Sequence, residues 1–204
     1  MPSVDPANKP TLALDHTGWL RPQQNVSHAP SPNFNERPAD CETDLLVIHN
    51  ISLPPNIFNG TAIIEFFQNK LDLNSHPWFE NLRGLHVSAH FLIRRDGHIV
   101  QFVSTDDRAW HAGQSHYCGR SQCNDFSIGI ELEGSDYVPF EAAQYHSLSL
   151  LSQAIMQRHP LRGICGHEHI APERKTDPGP FFDWQRYAND SELPTTLFLP
   201  LQQA

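Results

Sequence analysis

The segment 166–180, GHEHIAPERKTDPGP, contains several side chains of types that bind zinc, among them the imidazole of His167 and the carboxylate of Asp177. His167 and Asp177 are ten positions apart in the sequence, which is too far for two ligands on one helix face. They can meet only if the intervening loop folds back, and the three prolines of the segment restrict the conformations of that loop. The segment therefore predicts half of a metal site, with an ordinary polar turn as the alternative.

A third possible ligand, His49, stands at the end of an apolar run. The run DLLVIHN (44–50) is typical of a buried central strand, and functional groups in α/β sheets often follow the ends of such strands. Two histidines and one carboxylate leave a fourth tetrahedral position for water, as in catalytic zinc sites. Histidine is abundant in this chain, with 13 among 204 residues. The alternative for His49 alone is therefore a hydrogen-bonded structural residue.

Glu131 follows the residues FSIGI, where a strand should be buried. A buried carboxylate must be paired or have a raised pKa, and a raised pKa suits a general base that takes a proton from water beside a metal. The alternative is an ion pair with an arginine at the sheet edge. Glu133 shares the strand face and is the rival base, but Glu131 is closer to the apolar run and should be less solvated.

Two further features could complete an active site. Lys175, two residues before Asp177, could present its ammonium group to a developing oxyanion, although a solvated loop lysine is the alternative. The motif RAWHAG (108–113) places Trp110 and His111 beside small residues. That arrangement is expected for a pocket wall on which a ring can stack, or for an aromatic anchor of a loop.

The strands that must position these residues are short and apolar. Strands are predicted at 44–50 and 126–132, where continuous apolar runs indicate burial on both faces. Residues 86–103 predict a β-hairpin, because two β-rich runs flank Asp96-Gly97, a dipeptide that favours positive φ.

Two helices are predicted between the strands. The first covers 61–70, with Thr61 as its N-cap, and the second covers about 139–159. The second helix has Met156 on a neighbouring stripe and its main apolar stripe at Leu148, Leu151 and Ile155. Strands mixed with helices in this way predict an α/β fold, with a central mixed sheet of about five or six strands flanked by helices.

The chain length is that expected for one domain. Proline-rich residues 1–15 are interpreted as a flexible N-terminal tail and residues 16–40 as extended chain over the core. We expect the domain to cover 16–190 and a C-terminal tail to cover 191–204.

Composition excludes several functional classes. The net charge is −9 and no more than two basic residues are adjacent, so a nucleic-acid partner is not expected. No apolar stretch approaches the roughly 18 residues of a membrane helix, so no membrane partner is expected either. The N-terminus shows no secretory signal, and four cysteines suit free thiols in the cytoplasm. The pair Cys118 and Cys123 has no second pair that would make a zinc ribbon.

Six motifs that occur in order along the chain carry a family resemblance. They are LLVIHNISLPP, HPWF, VSAHFLIRRDGHIVQFV, RAWHAG, CNDFSIGIELEG, and GHEHIAPERKTDPGP followed by FDW. Together they resemble the zinc-dependent N-acetylmuramoyl-L-alanine amidases of the amidase_2 class, whose fold the peptidoglycan-recognition proteins share. The similarity extends from about Gly18 to Tyr187 and is closest to the cytoplasmic members that act on 1,6-anhydro-muropeptides.

The resemblance implies a reaction and a set of roles. The reaction would be hydrolysis of the amide bond between 1,6-anhydro-N-acetylmuramic acid and L-alanine during peptidoglycan recycling. One zinc ion per chain would be bound by His49, His167 and Asp177. Glu131 would be the catalytic glutamate and Lys175 the lysine that stabilises the oxyanion. The wall that binds the anhydro-muropeptide substrate would comprise Asn50, Trp110, His111, Ala112 and Gly113.

One position departs from the family pattern. The residue directly before VSAH is usually an arginine that contacts the acidic end of the stem peptide, and here it is His86. A neutral imidazole cannot make the bidentate contact of a guanidinium with a carboxylate. We therefore expect a different peptide affinity or preference, unless a nearby residue such as Arg83 compensates.

Two other functions are compatible with the same motifs. One is a peptidoglycan-binding module without turnover, and the other is an amidase that acts on the intact cell wall. The complete set of potential ligands, with Glu131 and Lys175, favours an enzyme over a binding module. The N-terminal sequence favours recycling in the cytoplasm over action on the wall.

Overall fold

A computed structural model of the protein describes residues 11–202. The strands of this part of the chain are β1 (Val26–His28), β2 (Phe34–Asn35), β3 (Leu45–Ile51), β4 (Phe91–Ile93), β5 (Ile99–Gln101), β6 (Arg108–Ala109), β7 (His116–Tyr117), β8 (Arg120–Ser121), β9 (Ser127–Glu133) and β10 (Gly163–Gly166). Six of them form one sheet in the order β1-β5-β4-β9-β3-β10. Within that sheet only β4 and β5 pair antiparallel, so the predicted mixed sheet is confirmed.

The antiparallel pair is the hairpin predicted around Asp96-Gly97. Gly97 adopts a φ of +85°, a conformation that residues with a β-carbon rarely adopt. The backbone N–H of Gly97 donates to the carbonyl of Arg94 at 2.9 Å, and the N–H of Arg94 donates to the carbonyl of His98 at 2.9 Å. The turn therefore sets the register between the two strands.

The register of the central strands places polar residues side by side. β3 lies between β9 and β10 and is parallel to both. His49 of β3 pairs with Glu131 of β9, while Ile48 pairs with Gly166 at the end of β10. Successive side chains of a strand point to opposite faces of a sheet. His49 and Glu131 therefore project from the same face, next to the point where β10 ends.

Helices cover both faces of the sheet. The α-helices are α1 (Ala62–Phe67), α2 (Ala142–Arg158), α3 (His167–Ile170), α4 (Trp184–Ser191) and α5 (Leu199–Gln202), and 3-10 turns occur at Pro77–Leu82, Cys123–Asp125 and Thr195–Leu197. The predicted helix at 61–70 is shorter than expected. Thr61 stands at its N-cap, but its side chain makes no capping hydrogen bond. The long predicted helix is α2, which begins with a capping box formed by Glu141 and Gln144.

The core is divided by the sheet into two main apolar clusters. Leu46 and Ile48 of β3 pack with the buried stripe of α2, and Phe66 and Phe67 of α1 lie in the cluster that covers the other side. Burial on both faces explains why β3 is a continuous apolar run rather than an alternating one. Buried side chains of α2 and of the sheet therefore stabilise the packing of the helix on the sheet.

The predicted tails, residues 1–15 and 191–204, lie partly within the described residues. Residues 1–10 and 203–204 lie outside the described residues. Leu12 and Phe198 are buried in the same cluster as α2, and Phe198 forms a β-bridge with Ile164. The segments 11–15 and 191–202 therefore pack on the domain, because their apolar side chains cover its core. The extended chain predicted at 16–40 contributes β1 to the sheet edge.

No helix within residues 11–202 is long and apolar enough to cross a membrane.

The buried apolar stripe of α2 allows the packing of the core to be tested by mutation. Leu151 is fully buried, whereas Met156 of the same helix is 36% exposed. We expect Leu151→Ala to lower the free energy of unfolding by about 2–5 kcal/mol, because it removes buried methyl groups and leaves a cavity. The matched change Met156→Ala should cost less than about 1 kcal/mol. Urea unfolding followed by circular dichroism measures both, and equal losses would contradict this packing.

Candidate metal centre and active site

Three possible metal ligands meet at the C-terminal edge of the central strands. His49 lies near the end of β3, His167 is the first residue of α3, and Asp177 lies in the loop that follows. Nδ1 of His49 lies 3.0 Å from Nδ1 of His167. Oδ2 of Asp177 lies 2.9 Å from the first nitrogen and 3.1 Å from the second. The structure thus brings together the three residues that the sequence indicated.

The loop that carries Asp177 folds back onto α3. The backbone N–H of Glu168 donates to the carbonyl of Asp177 at 2.9 Å. Pro178 packs so close to Gly166 that a β-carbon at Gly166 would lie 2.5 Å from the proline ring. The gap of ten residues between the two ligands is therefore closed by a backbone hydrogen bond and a close backbone approach.

Asp136 holds the same loop from the other side, and sequence reasoning missed it. Its carboxylate accepts hydrogen bonds from Thr176 Oγ1 at 2.5 Å and from Asn50 Nδ2 at 2.7 Å. Asn50 Nδ2 also donates to the carbonyl of Pro178 at 3.0 Å. Asn50 therefore connects β3 directly to Pro178 and, through Asp136, to Thr176. These two residues stand on either side of Asp177. No local motif marks Asp136, because its partners are distant in sequence.

The arrangement of the His167 imidazole and the Asp177 carboxylate suits a bound cation. Nε2 of His167 lies 3.0 Å from the carbonyl oxygen of Ala112, which can only accept. A neutral His167 therefore carries its proton on Nε2 and turns the lone pair of Nδ1 towards Asp177. A nitrogen lone pair and a carboxylate oxygen 3.1 Å apart repel one another unless positive charge lies between them. Two imidazoles and a carboxylate are a donor set compatible with a metal ion.

Burial favours the neutral form of two histidines in the cavity, His49 and His111. Desolvation lowers the pKa of His49 to about 4, with the neighbouring His167 as a further cause, although Asp177 opposes the shift. Desolvation also holds the pKa of His111 well below its usual value. Neutral imidazoles have a free lone pair, which is the form that binds metals.

Glu131 has the properties of a buried base. One of its carboxylate oxygens, Oε2, is buried without a hydrogen-bond partner among the described residues. Desolvation raises its pKa well above the usual value, and Asp177 adds to the shift while Lys175 opposes it. A carboxylate with an unsatisfied oxygen and a raised pKa is suited to accepting a proton from water.

The rival glutamate, Glu133, is engaged elsewhere. It accepts hydrogen bonds from the backbone N–H of Asn59 at 2.6 Å and of Arg95 at 3.2 Å. These contacts tie two loops to the end of β9. Glu133 therefore has a structural position, whereas Glu131 lies beside the three possible metal ligands.

A cavity of about 210 Å³ joins these groups. Glu131 and Lys175 line it together with the three possible ligands, and α1 and Trp110 supply an aromatic wall. A larger groove of about 440 Å³ shares Asn50, Lys175 and Asp177 with this cavity. A substrate could therefore lie in the groove and place one bond beside the metal ligands.

The residues predicted to bind substrate do not all lie in the cavity. Asn50, Trp110 and His111 line it, and the indole N–H of Trp110 donates to Asn35 Oδ1 at 2.7 Å. Ala112 is buried, and Gly113 lies against Arg174. Contact of these two residues with substrate remains a prediction.

His86 lies apart from the metal ligands. It is exposed, its Nδ1 lies 3.3 Å from Asn69 Oδ1, and it lines a separate pocket of about 140 Å³. Arg83, the residue that could compensate for it, forms an exposed ion pair with Glu80 at 2.6 Å. A contact of either residue with a stem peptide also remains a prediction.

His169 is the second histidine of the segment 166–180 and is separate from the ligand set. Its Nδ1 accepts a hydrogen bond from the backbone N–H of Gly166 at 3.1 Å, and its ring packs edge-on against Trp184. His169 therefore stabilises the start of α3.

Comparison with known proteins agrees with this geometry. The family model of N-acetylmuramoyl-L-alanine amidase, Amidase_2, matches residues 39–180. The 1,6-anhydro-N-acetylmuramyl-L-alanine amidase AmpD of Citrobacter freundii is 54% identical over 178 residues, which cover 86% of this chain and 93% of that protein.

Two solved structures extend the comparison. The crystal structure of a selenomethionine derivative of AmpD superposes with a TM-score of 0.82 at 52% identity, covering 86% of this chain and 97% of that one. A complex of the Escherichia coli amidase AmiD with anhydro-N-acetylmuramic acid-L-Ala-D-γ-Glu-L-Lys has a TM-score of 0.51 at 30% identity, covering 87% of this chain and 65% of that one. The chain therefore belongs to the N-acetylmuramoyl-L-alanine amidase family Amidase_2.

Proposed function

We propose that the protein is a zinc-dependent amidase that hydrolyses the bond between 1,6-anhydro-N-acetylmuramic acid and the L-alanine of cell-wall muropeptides, in peptidoglycan recycling. One observation carries the proposal. Three metal-type donors and the buried carboxylate of Glu131 line a single cavity. The relative AmpD, named for this activity, supports the choice of substrate.

His49, His167 and Asp177 would hold one zinc ion per chain. When bound, the ion acts as a Lewis acid that polarises the amide carbonyl and makes nearby water more acidic. The ligand set has three members, which leaves room for water or substrate, as in catalytic rather than structural zinc sites.

Glu131 would act twice in the reaction. Its carboxylate takes a proton from the water whose oxygen forms a bond to the amide carbon. It then gives that proton to the nitrogen of L-alanine as the carbon–nitrogen bond breaks. Lys175 lines the same cavity, and its ammonium group would stabilise the negative charge that develops on the carbonyl oxygen.

The substrate would be recognised at the cavity and in the adjoining groove. Trp110 supplies an aromatic surface against which a sugar ring or peptide can pack. AmiD, a more distant member, is known in complex with an anhydro-muropeptide, which supports this class of ligand. His86 would replace the usual arginine contact and weaken binding of the acidic end of the stem peptide.

We infer that the enzyme acts in the cytoplasm. The four cysteines are free thiols, which suits a reducing compartment. Free muropeptides that return from the wall would meet the enzyme there.

The role of Glu131 can be tested without removing the ligands. We expect Glu131→Gln to bind about one zinc ion per chain, as the wild type does, and to lose turnover by about 100-fold or more. The matched change Glu133→Gln should lower stability, because it weakens two buried backbone contacts, while the folded fraction stays active. Elemental analysis and hydrolysis of anhydro-muropeptide measure the two effects. Near-normal turnover of Glu131→Gln would show that another group is the base.

The ligand set can be tested at Asp177. We expect Asp177→Ala to weaken zinc binding strongly, because it removes the one carboxylate of the set. Glu173→Ala removes an exposed carboxylate of the same loop and should leave the metal content unchanged. The measurement is elemental analysis after dialysis, and an unchanged zinc content in Asp177→Ala would exclude it as a ligand.

The substrate and the need for a metal can be tested on the wild-type protein. We expect release of peptide from anhydro-muropeptide, its loss after chelation, and its return on addition of zinc. Hydrolysis of intact sacculi should be much slower. Binding without release would identify a recognition module, and faster hydrolysis of sacculi would identify an amidase of the intact wall.

A further inference from the structure

The ring of His111 is part of a chain of hydrogen bonds that ends at a metal ligand. Nδ1 of His111 lies 2.9 Å from Nε2 of His49, and Nε2 of His111 lies 3.1 Å from the hydroxyl of Ser127. That hydroxyl lies 2.5 Å from the carbonyl oxygen of Cys123. Each hydrogen bond in this series has one donor and one acceptor. The direction of the last bond, to the carbonyl of Cys123, therefore fixes the direction of the others.

The direction follows from the carbonyl of Cys123, which can only accept. Two oxygens 2.5 Å apart require a proton between them, so Ser127 donates its single hydroxyl proton to Cys123. The hydroxyl oxygen of Ser127 must then accept from Nε2–H of His111. Among the described residues neither ring nitrogen of His111 is hydrogen-bonded to a carboxylate that would stabilise a second proton, so the ring is a neutral imidazole with its lone pair on Nδ1.

The same reasoning reaches the metal ligand. Because Nδ1 of His111 accepts, Nε2 of His49 must carry the proton that it accepts. His49 is then left with its lone pair on Nδ1, the nitrogen that faces His167 and Asp177. The carbonyl of Ala112, the next residue, has the same effect on His167. His111 and Ala112, which are consecutive in the sequence, thus contact Nε2 of His49 and Nε2 of His167, respectively.

The segment is held rigidly enough for this role. The side-chain oxygen of Asn124 accepts from the backbone N–H of His111 at 3.1 Å and of Ala112 at 2.7 Å. Arg174 donates to the carbonyl of Ala112 at 2.9 Å. Gly129 makes room for the imidazole of His111, because a β-carbon there would lie 2.4 Å from the ring. A glycine between Ser127 and Glu131 is therefore required by the ring that it faces.

We propose that His111 and the carbonyl of Ala112 set the tautomers of His49 and His167, so that both histidines present Nδ1 to the metal. His111 is then a positioning residue that acts through His49, in addition to forming part of the cavity wall. This inference rests on the proposed function, because it presupposes a metal at the three ligands. Partners of this kind orient ligands and raise metal affinity in other metal sites.

Metal affinity tests the role of His111. The zinc dissociation constant is measured by competition with a chromophoric chelator, and folding is checked separately by thermal unfolding. We expect His111→Leu to bind zinc about 10–100-fold more weakly, because it removes the acceptor for Nε2–H of His49. His111→Asn keeps an acceptor near the position of Nδ1 and should recover most of the affinity. Ser149→Ala removes a buried hydroxyl of α2 that donates to the backbone carbonyl of Tyr145, and it should leave zinc affinity unchanged.

A spectroscopic measurement on the wild-type protein does not depend on any variant folding. Long-range proton–nitrogen NMR spectra of the zinc-loaded protein identify the protonated nitrogen of each histidine ring. We expect His49 and His167 to be protonated on Nε2 and unprotonated on Nδ1. His111 should show the same tautomer, with its proton directed at Ser127.

The outcomes separate this inference from the proposed function. A wild-type protein that neither binds zinc nor hydrolyses anhydro-muropeptide would overturn the proposed function. A wild-type protein that does both, with a zinc affinity of His111→Leu within about twofold of normal, would overturn only the role of His111. Equal weakening in His111→Leu and His111→Asn, or a proton on Nδ1 of His49, would overturn it as well.

Discussion

The parallel pairing of β3 with β9 on one side and β10 on the other is the constraint on which the site depends. This pairing sets His49 opposite Glu131 and ends β10 one residue before His167. A shift of one residue in either register would turn one of these side chains to the opposite face of the sheet. The apolar residues that alternate with them, Leu46 and Ile48, are buried against α2, so the hydrophobic core holds the register.

Burial then gives the polar residues their chemical properties. The same packing that removes water from β3 and β9 keeps His49 neutral and raises the pKa of Glu131. Buried polar groups are costly unless they form hydrogen bonds, and among the described residues three buried side-chain atoms lack a partner, one of them Oε2 of Glu131. Oε2 of Glu131, which has no hydrogen-bond partner among the described residues, is available to accept a proton.

Two glycines determine the space around the three possible ligands. Gly129 leaves room for the ring of His111, and Gly166 leaves room for Pro178 behind Asp177. In both places a glycine on a strand allows a second segment to approach the ligands closely. Hydrogen bonds from Asn50 to Asp136 and Pro178 then hold the ligand loop on the end of β3.

The sequence by itself determined the α/β class, the mixed sheet, the hairpin at Asp96-Gly97 and the long helix, because each depends on local apolar periodicity or turn chemistry. It also singled out His49 and Glu131 through their positions at the ends of apolar strands, and His167 and Asp177 through residue type in the proline-rich segment 166–180. Only the tertiary structure shows that Glu133 accepts hydrogen bonds from backbone N–H groups while Glu131 lines the cavity, since strand position alone does not distinguish the two carboxylates. The tertiary structure alone also shows the packing of residues 11–15 and 191–202 on the core, the hydrogen bonds of Asp136 with Asn50 and Thr176, and the contact of His111 with His49. All of these depend on contacts between residues far apart in the chain, about which local sequence patterns carry no information.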